Sequence, residues 1–164
     1  AVVAALQDPD GAVSEEALRA LSEWRTPDAL PPLRALAAGA DEGRHILGLR
    51  GLIRLAQTEP DLGKRQPLLD DASTLVKRVE ERRRLLAAWG KTPTIHALAT
   101  LTACLDQGDA RDEAAAAVVS LAPELAKQGA EQKDRARAAL ALVGEKTANA
   151  SIRERAARAA AALQ

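Results

Sequence analysis

Apolar residues recur along this chain at spacings of three and four residues, the period of an amphipathic α-helix. Short stretches rich in Asp, Gly, Pro and Thr break these periodic segments, and such residues favour turns and helix termini. A sheet protein would need runs of Val, Ile, Thr and aromatic residues, and the sequence has none. The pattern therefore predicts an all-α chain, with helices at 2–7, 11–24, 27–38, 42–57, 63–76, 79–90, 93–107, 109–128, 131–143 and 149–163.

Pairs of small residues three positions apart recur in these helices and are followed by branched apolar residues. Residues at this spacing share one helix face, so the motif predicts close contact with another helix. Glycine inside a helix costs roughly 1 kcal/mol relative to alanine, which requires a compensating contact. We expect burial at helix contacts for Ala17, Ala20, Gly48, Gly51, Ala114 and Ala117.

A longer repeat is superimposed on the helices. The segment from Ser22 to Pro27 resembles the segment from Ala88 to Pro93, and each contains a tryptophan just before a Thr-Pro turn. The recurrence indicates duplication of a two-repeat unit of roughly 67 residues, a period typical of helical arrays. We expect Trp24 and Trp89 to fill equivalent apolar gaps between helices.

These segments resemble HEAT repeats. The sequence from Asp8 to Leu21 is similar to the first helix of such a repeat, and the sequence from Thr26 to Leu33 is similar to the second. The resemblance implies an α-α superhelix, a right-handed HEAT-like solenoid of about four helix pairs with flanking half-repeats. The third pair departs from the pattern, because Leu85 replaces its first small residue. The implied single domain, 1–164, has repeats at 8–39, 40–77, 78–108 and 109–146 and half-repeats at 1–7 and 147–164.

The alternating repeats are similar to HEAT arrays in large multidomain bacterial proteins. The chain opens with Ala1 in an apolar segment that has no capping charge. We therefore expect a fragment of a longer protein, with an apolar N-terminal face that would meet further repeats.

The amino-acid composition limits the kinds of partner that the chain is expected to bind. Lys plus Arg and Asp plus Glu are both 23, so the formal net charge is zero. Nucleic-acid-binding proteins usually carry a basic excess, and its lack argues against nucleic acid as a partner. No apolar run approaches the roughly 20 residues that a membrane span needs. A lone cysteine rules out an intramolecular disulfide but leaves the cellular compartment open.

No pattern of catalytic or metal-binding residues stands out. His45 and His96 are far apart in sequence, and neither belongs to a motif with metal-ligand spacing. Cys104 follows an apolar segment and is more simply explained as a small buried hydrophobe than as a nucleophile. We expect no enzyme activity and no cofactor.

The leading hypothesis is a protein-interaction scaffold. A solenoid presents an extended concave surface lined by the second helix of each pair, here 27–38, 63–76, 93–107 and 131–143. Such a surface suits a peptide, another protein or a neighbouring domain of the parent chain. The candidate interaction residues are Arg34, Lys64, Arg65, Lys77, Arg78 and His96.

Two alternatives remain. HEAT-like enzymes include bilin lyases and DNA glycosylases, but their sites call for aromatic residues, and the only ones here are the two tryptophans. An architectural spacer between domains is the other alternative. An even mixture of paired charges on the concave face would favour the spacer, whereas a patch of one sign or exposed apolar clusters would favour the binder.

Overall fold

A computed structural model describes residues 2–163, and all regular secondary structure within them is helical. The all-α prediction is confirmed, although predicted helices 27–38 and 93–107 each include a 3-10 turn, at Pro27–Ala29 and Cys104–Asp106. Among the described helices, none is both long and apolar enough to cross a bilayer. The α-helices are α1 Val2–Ala5, α2 Gly11–Ser22, α3 Leu30–Ala38, α4 Glu42–Thr58, α5 Leu62–Leu75, α6 Val79–Trp89, α7 Ile95–Ala103, α8 Arg111–Ala126, α9 Ala130–Lys146 and α10 Ala150–Ala162.

Short polar side chains determine where several helices begin. The Asp41 carboxylate accepts a hydrogen bond from the backbone N–H of Arg44 at 2.8 Å, and Asp61 accepts one from Gly63 at 2.8 Å. Such caps satisfy N–H groups that have no partner within the first helical turn. At the start of α2 the Asp10 carboxylate accepts the N–H of Ala12 at 2.9 Å, and Asp8 accepts the N–H of Asp10.

Tertiary contacts divide the chain into two compact units, Ala1–Glu81 and Arg82–Gln164, with the boundary inside α6. In the first unit α4 packs against α2, α3 and α5. In the second unit α8 packs against α7, α9 and α10. The fully buried large side chains are mostly leucines, as the near-absence of aromatic residues predicts; they include Leu33, Leu49, Ile53 and Leu69 in the first unit and Leu101, Leu105, Leu121, Leu125 and Leu140 in the second.

The small-residue motif marks close helix contacts at every predicted position except one. A Cβ atom at Gly48 would lie 2.6 Å from the backbone nitrogen of Ala37, so α4 meets α3 with no room for a side chain. Ala17, Ala114, Ala117 and Gly51 are likewise buried. The prediction is wrong for Ala20, which is exposed because the buried arc of α2 runs through Ser14, Ala17, Leu18, Leu21 and Ser22.

The two tryptophans occupy different environments, so their predicted equivalence is wrong. Trp89 is 1% exposed, whereas Trp24 is 36% exposed. Trp24 lies in the loop after α2, where its indole N–H donates to the hydroxyl of Thr26 at 2.7 Å. The matching Thr92 instead donates to the carbonyl of Ala88 at 3.1 Å, and Trp89 ends α6 within the core.

Candidate interaction surface

An open groove lies in the first unit where the start of α3, the end of α4 and the start of α5 converge. It encloses about 360 Å³. Its walls include the apolar residues Pro27, Leu30 and Leu68, and its charged residues are Arg25, Lys64 and Glu59. We call this the first-unit groove. It combines apolar area with groups that can fix the orientation of a bound chain, as binding sites usually do.

A second groove lies in the second unit, between α7 and α9. It encloses about 300 Å³. Ile95, Leu98 and Ala99 of α7 face Ala138 and Leu142 of α9 across it. Arg135 also lines it and pairs with Glu131, one helical turn away on the same helix, at 2.9 Å. This second-unit groove is therefore mostly apolar and locally neutral.

The chain matches no protein-family model and no curated protein. The groove residues themselves must therefore carry the functional argument.

The candidate residues Arg34, Lys64 and Arg65 all lie on α3 or α5 of the first unit. Arg34 pairs with Asp71 at 2.7 Å and so joins α3 to α5. The guanidinium of Arg65 donates to the carbonyl of Glu59 at 2.7 and 2.8 Å, which fixes the loop before α5. Lys64 lines the first-unit groove.

Lys77 and Arg78 lie together in the short loop between α5 and α6. The ammonium of Lys77 donates to the carbonyl of Gly39 at 3.3 Å. Arg78 pairs with Glu42 at 3.1 Å. Both cations therefore brace the chain against the segment that joins α3 to α4.

His96 belongs to the second unit, on the first turn of α7. It is exposed, and its ring lies against that of Trp89 with centroids 5.5 Å apart. Five of the six candidates thus lie in the first unit and His96 lies in the second.

A buried polar cluster in the first unit was not predicted from the sequence. His45 of α4 is 2% exposed and Glu81 of α6 is 5% exposed. The ring Nδ1 of His45 lies 2.5 Å from the carbonyl of Ala37, and Nε2 lies 3.2 Å from Oε2 of Glu81. Both ring nitrogens of His45 therefore face oxygen atoms that can accept hydrogen bonds.

Glu81 also organises the loop before α6. Its Oε2 accepts the backbone N–H groups of Lys77 at 3.1 Å and Arg78 at 3.2 Å. Burial raises the pKa of Glu81, but these hydrogen bonds and the one from His45 outweigh burial and leave the pKa below its ordinary value. The cluster thus joins α3, α4 and α6 through a charged, buried group.

The other groups considered for chemistry have simpler surroundings. Cys104 is half-buried, and burial raises the pKa of its thiol despite the opposing charge of Arg82. A raised pKa disfavours the thiolate that a nucleophile requires. Among residues 2–163, no three His, Cys, Asp or Glu side chains are placed to hold a metal ion together.

Sequence reasoning missed Arg25, which lines the first-unit groove together with Lys64. Arg25 lies in a loop between two predicted helices, where an arginine is ordinary. No sequence signal links it to Lys64, because the two positions are separated by α3 and α4.

Proposed function

We propose that this chain is a non-catalytic protein-interaction scaffold, built as a HEAT-like solenoid, which binds a peptide, a protein or a neighbouring domain along its second helices. One observation carries the proposal. In each unit, an apolar groove opens beside the second helices of successive pairs: α3 and α5 in the first unit, α7 and α9 in the second.

Helix contacts within each unit support stacking of successive pairs. In the first unit, α2 contacts α4, which are the first helices of two consecutive pairs. In the second unit, α7 contacts α9 and α8 contacts α10. Contacts between like helices of successive repeats are the ones a solenoid uses, and its second helices form the concave binding surface.

Exposed apolar area favours binding over a purely architectural role. The pair formed by Arg34 and Asp71 is the kind of compensated charge that suits a spacer. Arg25 and Lys64, however, form no ion pair with the described residues, and they lie beside the apolar walls of the first-unit groove. An accessible apolar groove with charged residues at its edge is typical of an interaction site.

Charged substitutions in the second-unit groove test the binding role. A displayed library of amphipathic helical peptides would be panned on the chain, and the selected peptides remeasured by fluorescence anisotropy. Ala99→Glu/Ala138→Glu places two charges in the groove at exposed positions and should weaken binding of peptides held there about tenfold or more.

The matched control carries the same change outside the groove, as Ala87→Glu/Ala157→Glu at exposed positions of α6 and α10. It should leave binding within about twofold of the unmodified chain. A library that yields no binder to either groove would refute the scaffold proposal.

A further inference from the structure

We infer that the first-unit groove recognises an acidic, amphipathic peptide segment, whose carboxylates contact Arg25 and Lys64 while its apolar side chains pack on Leu30 and Leu68. This inference rests on the proposed scaffold function and specifies the chemistry of its partner.

The side chains of Arg25 and Lys64 form no ion pair or hydrogen bond with the described residues. Arg34 and Arg78 of the same unit are paired instead, with Asp71 and Glu42 respectively. A paired cation must give up its partner to bind a new anion, whereas an unpaired one adds its attraction without that cost.

The wall of the first-unit groove carries more positive than negative charge. Glu59 is the acidic residue of the lining, and its Oε1 already accepts the backbone N–H of Asp61 at 3.0 Å. The groove wall therefore carries two unpaired cations and one carboxylate that already accepts a hydrogen bond. The corresponding arginine of the second-unit groove, Arg135, is neutralised by Glu131, so this excess distinguishes the first-unit groove.

Leucine and proline side chains form much of the apolar wall of the first-unit groove. Leu30 and Leu68 are half-buried, and Pro27 and Pro60 are exposed at the edge of the groove. Proline has no backbone N–H, so its ring offers apolar surface without a donor that must be satisfied. These walls suit apolar side chains, which a phosphate backbone lacks, and this favours a protein segment over nucleic acid.

The experiment uses a random library of peptides about 12 residues long, displayed on phage and panned on the full chain. Selected peptides would be synthesised with a fluorescent label and measured by anisotropy. We expect enrichment of Asp and Glu next to Leu, Ile or Val. Binding of those peptides should fall about tenfold in Arg25→Ser/Lys64→Ser and should weaken as salt is raised.

The control Arg153→Ser/Arg155→Ser removes two exposed arginines of α10 and should leave this binding unchanged. If no acidic peptide were enriched, or if the enriched acidic peptides bound Arg25→Ser/Lys64→Ser as tightly as the unmodified chain, this inference would be overturned and the scaffold proposal would stand. Equal competition by a single-stranded oligonucleotide would overturn it in favour of a general polyanion site. A library with no binder at all would instead refute the scaffold proposal.

Discussion

Glu81→Ala is expected to lower the free energy of unfolding by about 3–5 kcal/mol, because each buried donor left without an acceptor costs about 1–3 kcal/mol. The substitution leaves Nε2 of buried His45 without its acceptor. It also removes the acceptor of two backbone N–H groups, those of Lys77 and Arg78. Urea denaturation followed by circular dichroism would measure the loss.

The neighbouring Glu80 provides a matched control. It is exposed and lies 3.6 Å from Arg78, so it forms a surface ion pair of the kind that contributes little to stability. Glu80→Ala should change the free energy of unfolding by no more than about 0.5 kcal/mol. Equal effects of Glu80→Ala and Glu81→Ala would show that the pair between His45 and Glu81 does not stabilise the fold.

The same cluster predicts a pH dependence. The pKa of Glu81 in the folded chain lies below its ordinary value of 4.5, so the folded state favours the ionised carboxylate. The stabilisation is fully present above the unfolded pKa and is lost as pH falls through the folded pKa. From about pH 5 to about pH 3, the unmodified chain should therefore lose more stability than Glu81→Gln; parallel losses would contradict the assignment.

Gly48→Ala is expected to cost about 1–3 kcal/mol through overpacking, even though alanine improves helix propensity by about 1 kcal/mol. The added methyl would lie 2.6 Å from the nitrogen of Ala37 and 2.8 Å from the carbonyl oxygen of Leu33. Backbone atoms cannot rotate away, so α3 and α4 must move apart. Thermal and urea denaturation would measure the effect.

Two other helix glycines serve as comparisons for Gly48→Ala. At Gly51 the new Cβ would meet the Leu33 side chain, which can rotate, so Gly51→Ala should cost less than Gly48→Ala. At Gly144 in α9 nothing lies within 4 Å. Gly144→Ala should therefore stabilise the chain by about 0.5–1 kcal/mol. If Gly48→Ala were as favourable as Gly144→Ala, the close contact between α3 and α4 would be disproved.

Local signals predicted the helices because they depend on neighbouring residues. Periodic apolar positions, together with aspartates such as Asp41 and Asp61, determine where α4 and α5 form. Gly48 and Gly51 could be recognised as contact sites because an unsupported helix glycine is costly. Ala20 carried the same signal but lies beyond the buried arc of α2, since the motif does not say which side of a terminal helix is covered.

Local sequence signals could not predict the contacts between polar residues in the core and on the surface. His45 and Glu81 are 36 residues apart, and Glu81 precedes the basic run from Arg82 to Arg84, which is typical of a solvated helix face. Their pairing depends on how α4 and α6 meet. The position of Arg25 and Lys64 in one groove likewise depends on the packing of α3, α4 and α5. The exposure of Trp24 differs from that of Trp89 because Trp24 lies in a loop, where its indole bonds Thr26.

Nuclear magnetic resonance mapping of a bound peptide tests the scaffold proposal most directly. An isotope-labelled chain would be titrated with a peptide selected from the displayed libraries, and amide chemical-shift changes followed along the sequence. The proposal predicts that the largest changes lie in α3 and α5, or in α7 and α9, beside the grooves. Changes concentrated instead on α2 and α8, or saturable binding that leaves both grooves unperturbed, would contradict it.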